Sequence, residues 1–377
     1  MTPGKKEWYT LDNPAQLDSP VLVIYPDRVK ANIRLVIEMA GGDTSRLRPH
    51  VKTHKSPDTT RLLLEAGIHK FKCATIAEAE MLAITGAGDV LLAYQPVGPK
   101  LQRFVSLVRK YPDTRFSCLV DSPAAARAMG ESFAAAGLTI PVYLDLNVGM
   151  NRTGIVPGEE ALQLYILAAS TPGIEPVGLH AYDGHIRDAG WDQRKENCDA
   201  AFAKVVALQV SLQNHGFAEK PVIIAGGSPT FSIHCRREGK DIECSPGTFI
   251  YWDKGYSDLC PEQPFLPAAL VLTRVISLPA PDRICLDLGH KSIAAENELG
   301  RRVHFLNAPD LQLTGQSEEH LVAAATPGHA YQTGDLIYGM PMHICPTVAL
   351  YERAYTVENG QVSGEWKNSA RDRTINI

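Results

Sequence analysis

The chain has 377 residues, 45% of them hydrophobic and 21% charged, with 37 basic against 42 acidic side chains and a formal net charge of −5. That length holds one large domain plus a smaller one, and the composition is that of an ordinary globular protein, which excludes disorder and fibrous repeats. A near-balanced charge with no basic tract and no acidic tail excludes a partner that binds by charge alone, whether nucleic acid or membrane surface. No segment approaches about 18 uninterrupted apolar residues, and the opening stretch "MTPGKKEWYTLDNPAQ" lacks the apolar run of a secretory signal, so a cytoplasmic location is expected. The eight cysteines (73, 118, 198, 235, 244, 260, 285 and 345) are scattered without a CxxC pair, which points to small buried apolar residues and not to a disulfide framework or a zinc ribbon.

In chain order, short β-rich runs alternate with Ala- and Leu-rich helical stretches. "VLVIY" (21–25) precedes "PDRVKANIRLVIEMA", "RLRPHVKT" precedes "DTTRLLLEAG", and "KFKCAT" precedes "IAEAEMLAITGA". "DVLLAY", "RFSCLVD", "PVYLDLNVG", "EPVGLHAYDGH" and "PVIIAGGSPTF" continue the series. Strands spaced by helices pair in parallel through right-handed crossovers. About eight such units in roughly 230 residues match a (β/α)8 barrel better than an open doubly wound sheet. The barrel is therefore expected over residues 20–256. After about residue 257 the runs become short, turn-punctuated strands without helices between them, so residues 257–377, joined by residues 1–19, read as a mainly β domain.

In a barrel the chemistry sits on loops after the C-terminal ends of the strands. His50 and Lys52, Arg152, Tyr182 and His185, and the "GGSPT" loop all fall there. Desolvation at a barrel mouth lowers a lysine's pKa and frees its amine to attack a carbonyl, which singles out Lys52, while Lys55 reads as a surface residue. The consecutive glycines Gly226 and Gly227 expose backbone N–H groups, and Ser228 and Thr230 add hydroxyls, which together suit a phosphate. Arg152 is placed to meet an anionic oxygen.

The motifs "RPHVKTHK", "GMNRTG", "GLHAYDGH", "GGSPT" and "SPGTFIYWD" resemble the N-terminal barrel of pyridoxal-phosphate (PLP) enzymes of the alanine racemase fold type. "LDLGHKSIAAE", "QSEEHL" and "HICPTVALYE" narrow the resemblance to the D-threonine aldolase and D-serine dehydratase group. The resemblance spans nearly the whole chain. It implies Lys52 as the Schiff-base lysine, Arg152 near the cofactor's phenolic oxygen, Gly226, Gly227, Ser228 and Thr230 around its phosphate, and Tyr182 against its pyridine nitrogen. It also implies a divalent metal held by the turn "MPMHICPTVALYE", a D-amino acid as small-molecule substrate, and a homodimer.

For the metal, His343 and Cys345 at i and i+2 in an extended segment project to one face. Thiolate with imidazole favours zinc, and leaves manganese and magnesium open. Two reactions use this set. An aldolase cleaves a D-3-hydroxy amino acid such as D-threonine to glycine and an aldehyde, with His185 as the base that takes the hydroxyl proton. A dehydratase acting on D-serine or 3-hydroxy-D-aspartate releases a 2-oxo acid and ammonia, with Lys52 taking the Cα proton. Cys345 points to the dehydratase branch and "PTVALYE" to the aldolase branch; the aldolase is the first reading. An amino-acid racemase lacks its second base here, and a PLP carrier protein lacks a β domain. His290, Lys291, Glu318, Glu319 and His320 are polar clusters given no catalytic role.

Overall fold

The computed structural model describes residues 7–217 and 220–377. Residues 1–6, which the sequence assigns to the β domain, lie outside the described residues. In chain order the strands are β1 (Val21–Ile24), β2 (Lys70–Cys73), β3 (Asp89–Leu92), β4 (Arg115–Val120), β5 (Ile140–Asp145), β6 (Ile174–Ala181), β7 (Val222–Ala225) and β8 (Ile242–Cys244). They continue with β9 (Ala269–Ala280), β10 (Arg283–Leu286), β11 (Val303–Phe305), β12 (Gln312–Gln316), β13 (Leu321–Ala324), β14 (Leu336–Pro341), β15 (Arg353–Glu358) and β16 (Gln361–Lys367).

The chain forms two compact units: one takes in the described residues through Ile33, Thr53–Asp58 and Thr248–Arg371, the other Arg34–Lys52, Thr59–Gly247 and Asp372–Ile377. In the second, β2 to β8 form a parallel sheet in sequence order, with helices between successive strands. The eighth position is filled by residues 47–51, which bridge both edges in parallel: Leu47 pairs with Cys244 and His50 with Lys72. Arg48 N donates to Cys244 O and Lys72 N to Pro49 O, both at 2.9 Å, so the sheet closes through a segment too irregular to be a regular strand. Pro49 cannot donate to a ladder, which accounts for the irregularity. The barrel wall is apolar: Leu91, Leu119, Tyr143 and Ile224 form a buried cluster. At the strands' N-terminal ends the buried Arg48 guanidinium pairs with Glu243 and Asp89, each at 2.6 Å. Removing one partner of such a buried pair costs about 3–5 kcal/mol.

The other unit is built on a nine-stranded sheet in the order β12-β13-β10-β9-β1-β15-β16, with β14 on β9 and β11 on β14. Here the structure corrects the sequence reading: "VLVIY" is not a barrel strand. β1 pairs antiparallel with β9 and parallel with β15. A fully buried run of Val, Leu and Ile fits the middle of either kind of sheet, so periodicity could not separate the two. The segment before β1 packs in the same unit, where Tyr9, Leu11 and Leu17 share a core with Val23, Leu270, Leu272 and Tyr338. No helix among the described residues is long and apolar enough to cross a membrane.

Candidate active site

The site residues of the barrel unit all follow C-terminal strand ends. Lys52 ends the closing segment, Tyr182 follows β6, and Gly226 follows β7, whose Ala225 is paired with Ala181. The half-buried Tyr182 ring is the common surface. Arg152 Cζ lies 5.0 Å, Lys72 Nζ 5.6 Å and Lys52 Nζ 5.8 Å from its centroid. Two cations, Lys52 and Arg152, and the amine of Lys72 around one aromatic ring, without a balancing carboxylate among the named neighbours, make a pocket suited to an anion.

The glycine loop meets the same ring. A Cβ on Gly227 would fall 2.8 Å from Tyr182 Cε2, so only a residue without a side chain lets the backbone approach the ring. Gly226 has φ +73° and hydrogen-bonds Ala181 O at 3.0 Å, which turns the chain sharply out of β7. Ser228 Oγ accepts from Gly247 N at 3.4 Å, and Thr230 Oγ1 donates to Asp183 Oδ1 at 2.7 Å. Thus Lys52, Arg152, Tyr182, Gly226, Gly227, Ser228 and Thr230 are brought together. A cradle of glycine backbone beside two amines and a guanidinium fits a phosphate-bearing aldehyde such as PLP.

His185 stands on the exposed loop after Tyr182, with its Nε2 2.6 Å from where a Cβ of Gly149 would lie. It therefore rests on the loop that carries Arg152. Lys55 departs from the surface role read from the sequence: it is half-buried, has φ +52°, and its carbonyl accepts from Ala370 N at 3.2 Å.

Sequence reading missed the residues beneath the pocket. Lys72, in β2, is 2% exposed, and its Nζ lies 3.5 Å from His180 Nε2. His180 Nδ1 in turn lies 2.7 Å from Asp145 Oδ1. Burial, then the nearby Lys52 charge, pull Lys72 down to about 7, with Asp145 and Asp183 only partly opposing. Burial likewise holds His180 below its ordinary value; burial alone would raise Asp145, but the hydrogen bond and charge of His180, the Thr153 hydrogen bond and the Lys72 charge together keep it below the usual carboxylate range. The imidazole is thus neutral, with Nδ1–H donating to Asp145 and Nε2 open to Lys72. The available signal was a lysine inside the otherwise buried run "KFKCAT".

A second buried group, Asp183, Cys198 and His234, places ligand-type atoms within 4.8 Å of one another. Arg237 Nε donates to His234 Nδ1 at 3.1 Å, so the ring hydrogen sits on Nε2, which donates to Asp183 Oδ2 at 2.8 Å. Burial pushes the Cys198 thiol up to about 12. With arginine on the imidazole, the group reads as a hydrogen-bonded anchor for Thr230 and its loop.

In the other unit His343 and Cys345 are close, although not through an extended segment as the sequence implied. His343 caps the short helix Ile344–Val348, and Cys345 lies in its first turn. The difference arises from Asp253, whose Oδ2 accepts from Ile344 N at 3.0 Å and so starts the helix in place of the His343 side chain. The freed His343 ring reaches Glu296 Oε1 at 2.5 Å, and Cys345 Sγ lies 3.1 Å from Thr53 Oγ1. Burial alone would lower His343, but hydrogen bonding to Cys345, the charges of Cys345 and Asp253, and the bond to Glu296 lift it to about 9. A histidine that holds a proton among thiol and carboxylates marks a donor set short of a cation, which fits a divalent metal. Glu296 was unassigned in "LDLGHKSIAAE"; from sequence only its place in that motif marked it. Lys291 pairs with Glu318 at 2.5 Å and Glu319 at 3.5 Å in an exposed ion cluster, worth little to stability.

Comparison with known proteins bears on both units. Residues 24–254 match the alanine racemase N-terminal domain, and residues 268–357 match a putative serine dehydratase domain. The chain is similar to a D-threonine aldolase of an Arthrobacter species, 30% identical over 95% of this chain and 93% of that one. It is also similar to the D-threo-3-hydroxyaspartate dehydratase of Delftia sp. strain HT23, 25% identical over 89% and 93%. Among solved structures, D-threonine aldolase from Filomicrobium marinum matches with TM-score 0.87 and 27% identity, over 95% of this chain and 97% of that one.

Proposed function

The chain belongs to the alanine racemase fold type of PLP enzymes, in the D-threonine aldolase and D-serine dehydratase group, and we propose that it is a metal-dependent lyase cleaving D-3-hydroxy amino acids to glycine and an aldehyde. The observation that carries this reading is the pairing, within one chain, of a cationic pocket around Tyr182 with the His343, Cys345 and Glu296 donor set. An enzyme of this family follows from the match to an aldolase over 95% of the chain. The choice of bond to break is the step proposed here.

Bound PLP supplies an electron sink for charge developing at the substrate's Cα. Lys52 would hold its aldehyde, the Gly226–Gly227 turn with Ser228 and Thr230 its phosphate, and Arg152 its phenolic oxygen. Tyr182 would wall the ring. His343 and Cys345, with Glu296 orienting the His343 ring, would hold a divalent metal, zinc by the softness of the thiolate, able to lower the pKa of a β-hydroxyl. His185 would take the hydroxyl proton, which suits a solvent-reachable imidazole with an ordinary role as general base. Cys345 supports a second reading, the dehydratase, in which Lys52 takes the Cα proton and the hydroxyl leaves.

Product analysis decides between them. The PLP-loaded protein is incubated with D-threonine, D-serine and D-threo-3-hydroxyaspartate, with and without a chelator. Glycine plus aldehyde, lost on chelation and restored by zinc or manganese, supports the aldolase. A 2-oxo acid plus ammonia overturns it in favour of the dehydratase.

A further inference from the structure

Lys72 is a buried lysine for which, among the described residues, no carboxylate lies within ion-pair distance; its nearest polar partner is His180 Nε2 at 3.5 Å. Removing an ammonium from water without a counter-ion is costly, and a mere filler of this space would be leucine or methionine. Its amine also faces the ring that Lys52 faces, 5.6 Å against 5.8 Å from the centroid. The charged groups around it come from several elements: Lys52 and Arg48 on the closing segment, Asp145 at the end of β5, and Asp183 after β6. Arg152 acts on His180 from the loop after β5.

We propose that Lys72 is a second acid–base group of this pocket, taking up the proton that an amino-acid substrate sheds before its nitrogen attacks a carbonyl, with His180 as the next carrier. The inference rests on the reading of the Lys52 pocket given above. The substrate arrives as an ammonium ion. One of its N–H bonds breaks, the electron pair stays on nitrogen, and the proton forms a new N–H bond at Lys72 Nζ, so charge is conserved. His180 Nε2 offers the lone pair that relieves Lys72, and Asp145 at Nδ1 stabilises the imidazolium. Burial and the Lys52 charge leave Lys72 proton-free above about pH 7, which is where it must accept.

The test is a spectral titration of the PLP-loaded protein with D-alanine, an amino acid without a β-hydroxyl, between pH 6 and 9. In the unmodified protein the apparent affinity should level off above about pH 7. In Lys72→Met it should keep rising by roughly tenfold per pH unit towards the pKa of the free amino group, and be at least about tenfold weaker at pH 7.5. Lys72→Arg, which keeps a cation but exchanges no proton, should behave as Lys72→Met does. The absorbance of each protein without D-alanine, followed over the same range, separates titration at Lys52. Borohydride reduction and peptide mapping first locate the cofactor. If the trapped residue is not Lys52, the pocket reading fails and the inference falls with it. If it is Lys52 and the three proteins share one pH course, or the unmodified protein shows no levelling, the inference alone is overturned.

Discussion

The two clusters carry opposite imbalances of charge. Around Tyr182, two amines and a guanidinium face an aromatic ring, and one of them, Lys72, is forced down to about 7 because burial and a neighbouring cation oppose its proton. Around His343, a thiol and carboxylates crowd an imidazole, which is lifted to about 9 because its proton is the local cation. The same physics, seen from opposite signs, shows what each cluster lacks: an anion in the first, a cation in the second. Histidine and lysine thus report the missing ligand by the direction in which they are displaced.

The sharpest way to break this comparison is to remove the amine that would bind the cofactor. Lys52→Ala should abolish the absorbance band near 410–420 nm, roughly where PLP aldimines absorb, and lower turnover at least about 10³-fold, while Lys55→Ala keeps the band. A band that survives in Lys52→Ala would remove the barrel pocket from the argument. Next in size, His343→Ala or chelation should reduce turnover by about 10²-fold or more and leave that band in place, since the two clusters have separate ligands. Loss of both signals together would mean that they do not.

Smaller effects sharpen the picture. Glu296→Gln should weaken zinc binding about 10- to 100-fold, read by competition with a chromophoric chelator, because the carboxylate orients and polarises His343. Lys72→Met should stabilise the cofactor-free protein by roughly 4 kcal/mol at pH 7 in denaturant melts. An unfolded lysine keeps its proton to an ordinary value of 10.5 and the folded one only to about 7. Between those values the unfolded state binds more protons, so the unmodified protein gains stability as pH rises and the variant's advantage fades towards pH 10.5. For His343 the sign reverses. Its folded pKa is raised to about 9 from 6.5, so its stabilisation of the metal-free protein is full below 6.5 and lost as pH rises through 9. The melting temperature of the metal-free protein, compared with His343→Gln across that range, measures it; no difference between the two would show that the proton is not held there.

Much of the pocket was legible because loops after barrel strands are where a chain concentrates chemistry, and Lys52, Arg152, Tyr182 and the Gly226–Gly227 turn each carry a local signal. Lys72, His180, Asp145, Glu296 and Asp253 were not legible in that way. Each draws its character from a partner far along the chain: Glu296 from His343, Asp253 from Ile344, and Lys72 from His180. The short helix over Ile344–Val348 was missed for the same reason, since its first amide is capped by a residue 91 positions away.

By itself the sequence determined the alternation of strand and helix, the glycine turn and the identity of the ligand-type residues, because these depend on local backbone preference and on side-chain chemistry. The tertiary structure alone decided that β1 belongs to the sheet of β9 and β15 and not to the barrel, since an apolar run pairs equally well in either. It alone decided that residues 47–51 close the barrel by two isolated bridges. And it alone decided the protonation of Lys72 and His343, because desolvation and neighbouring charge are properties of a place in the fold and not of a residue type.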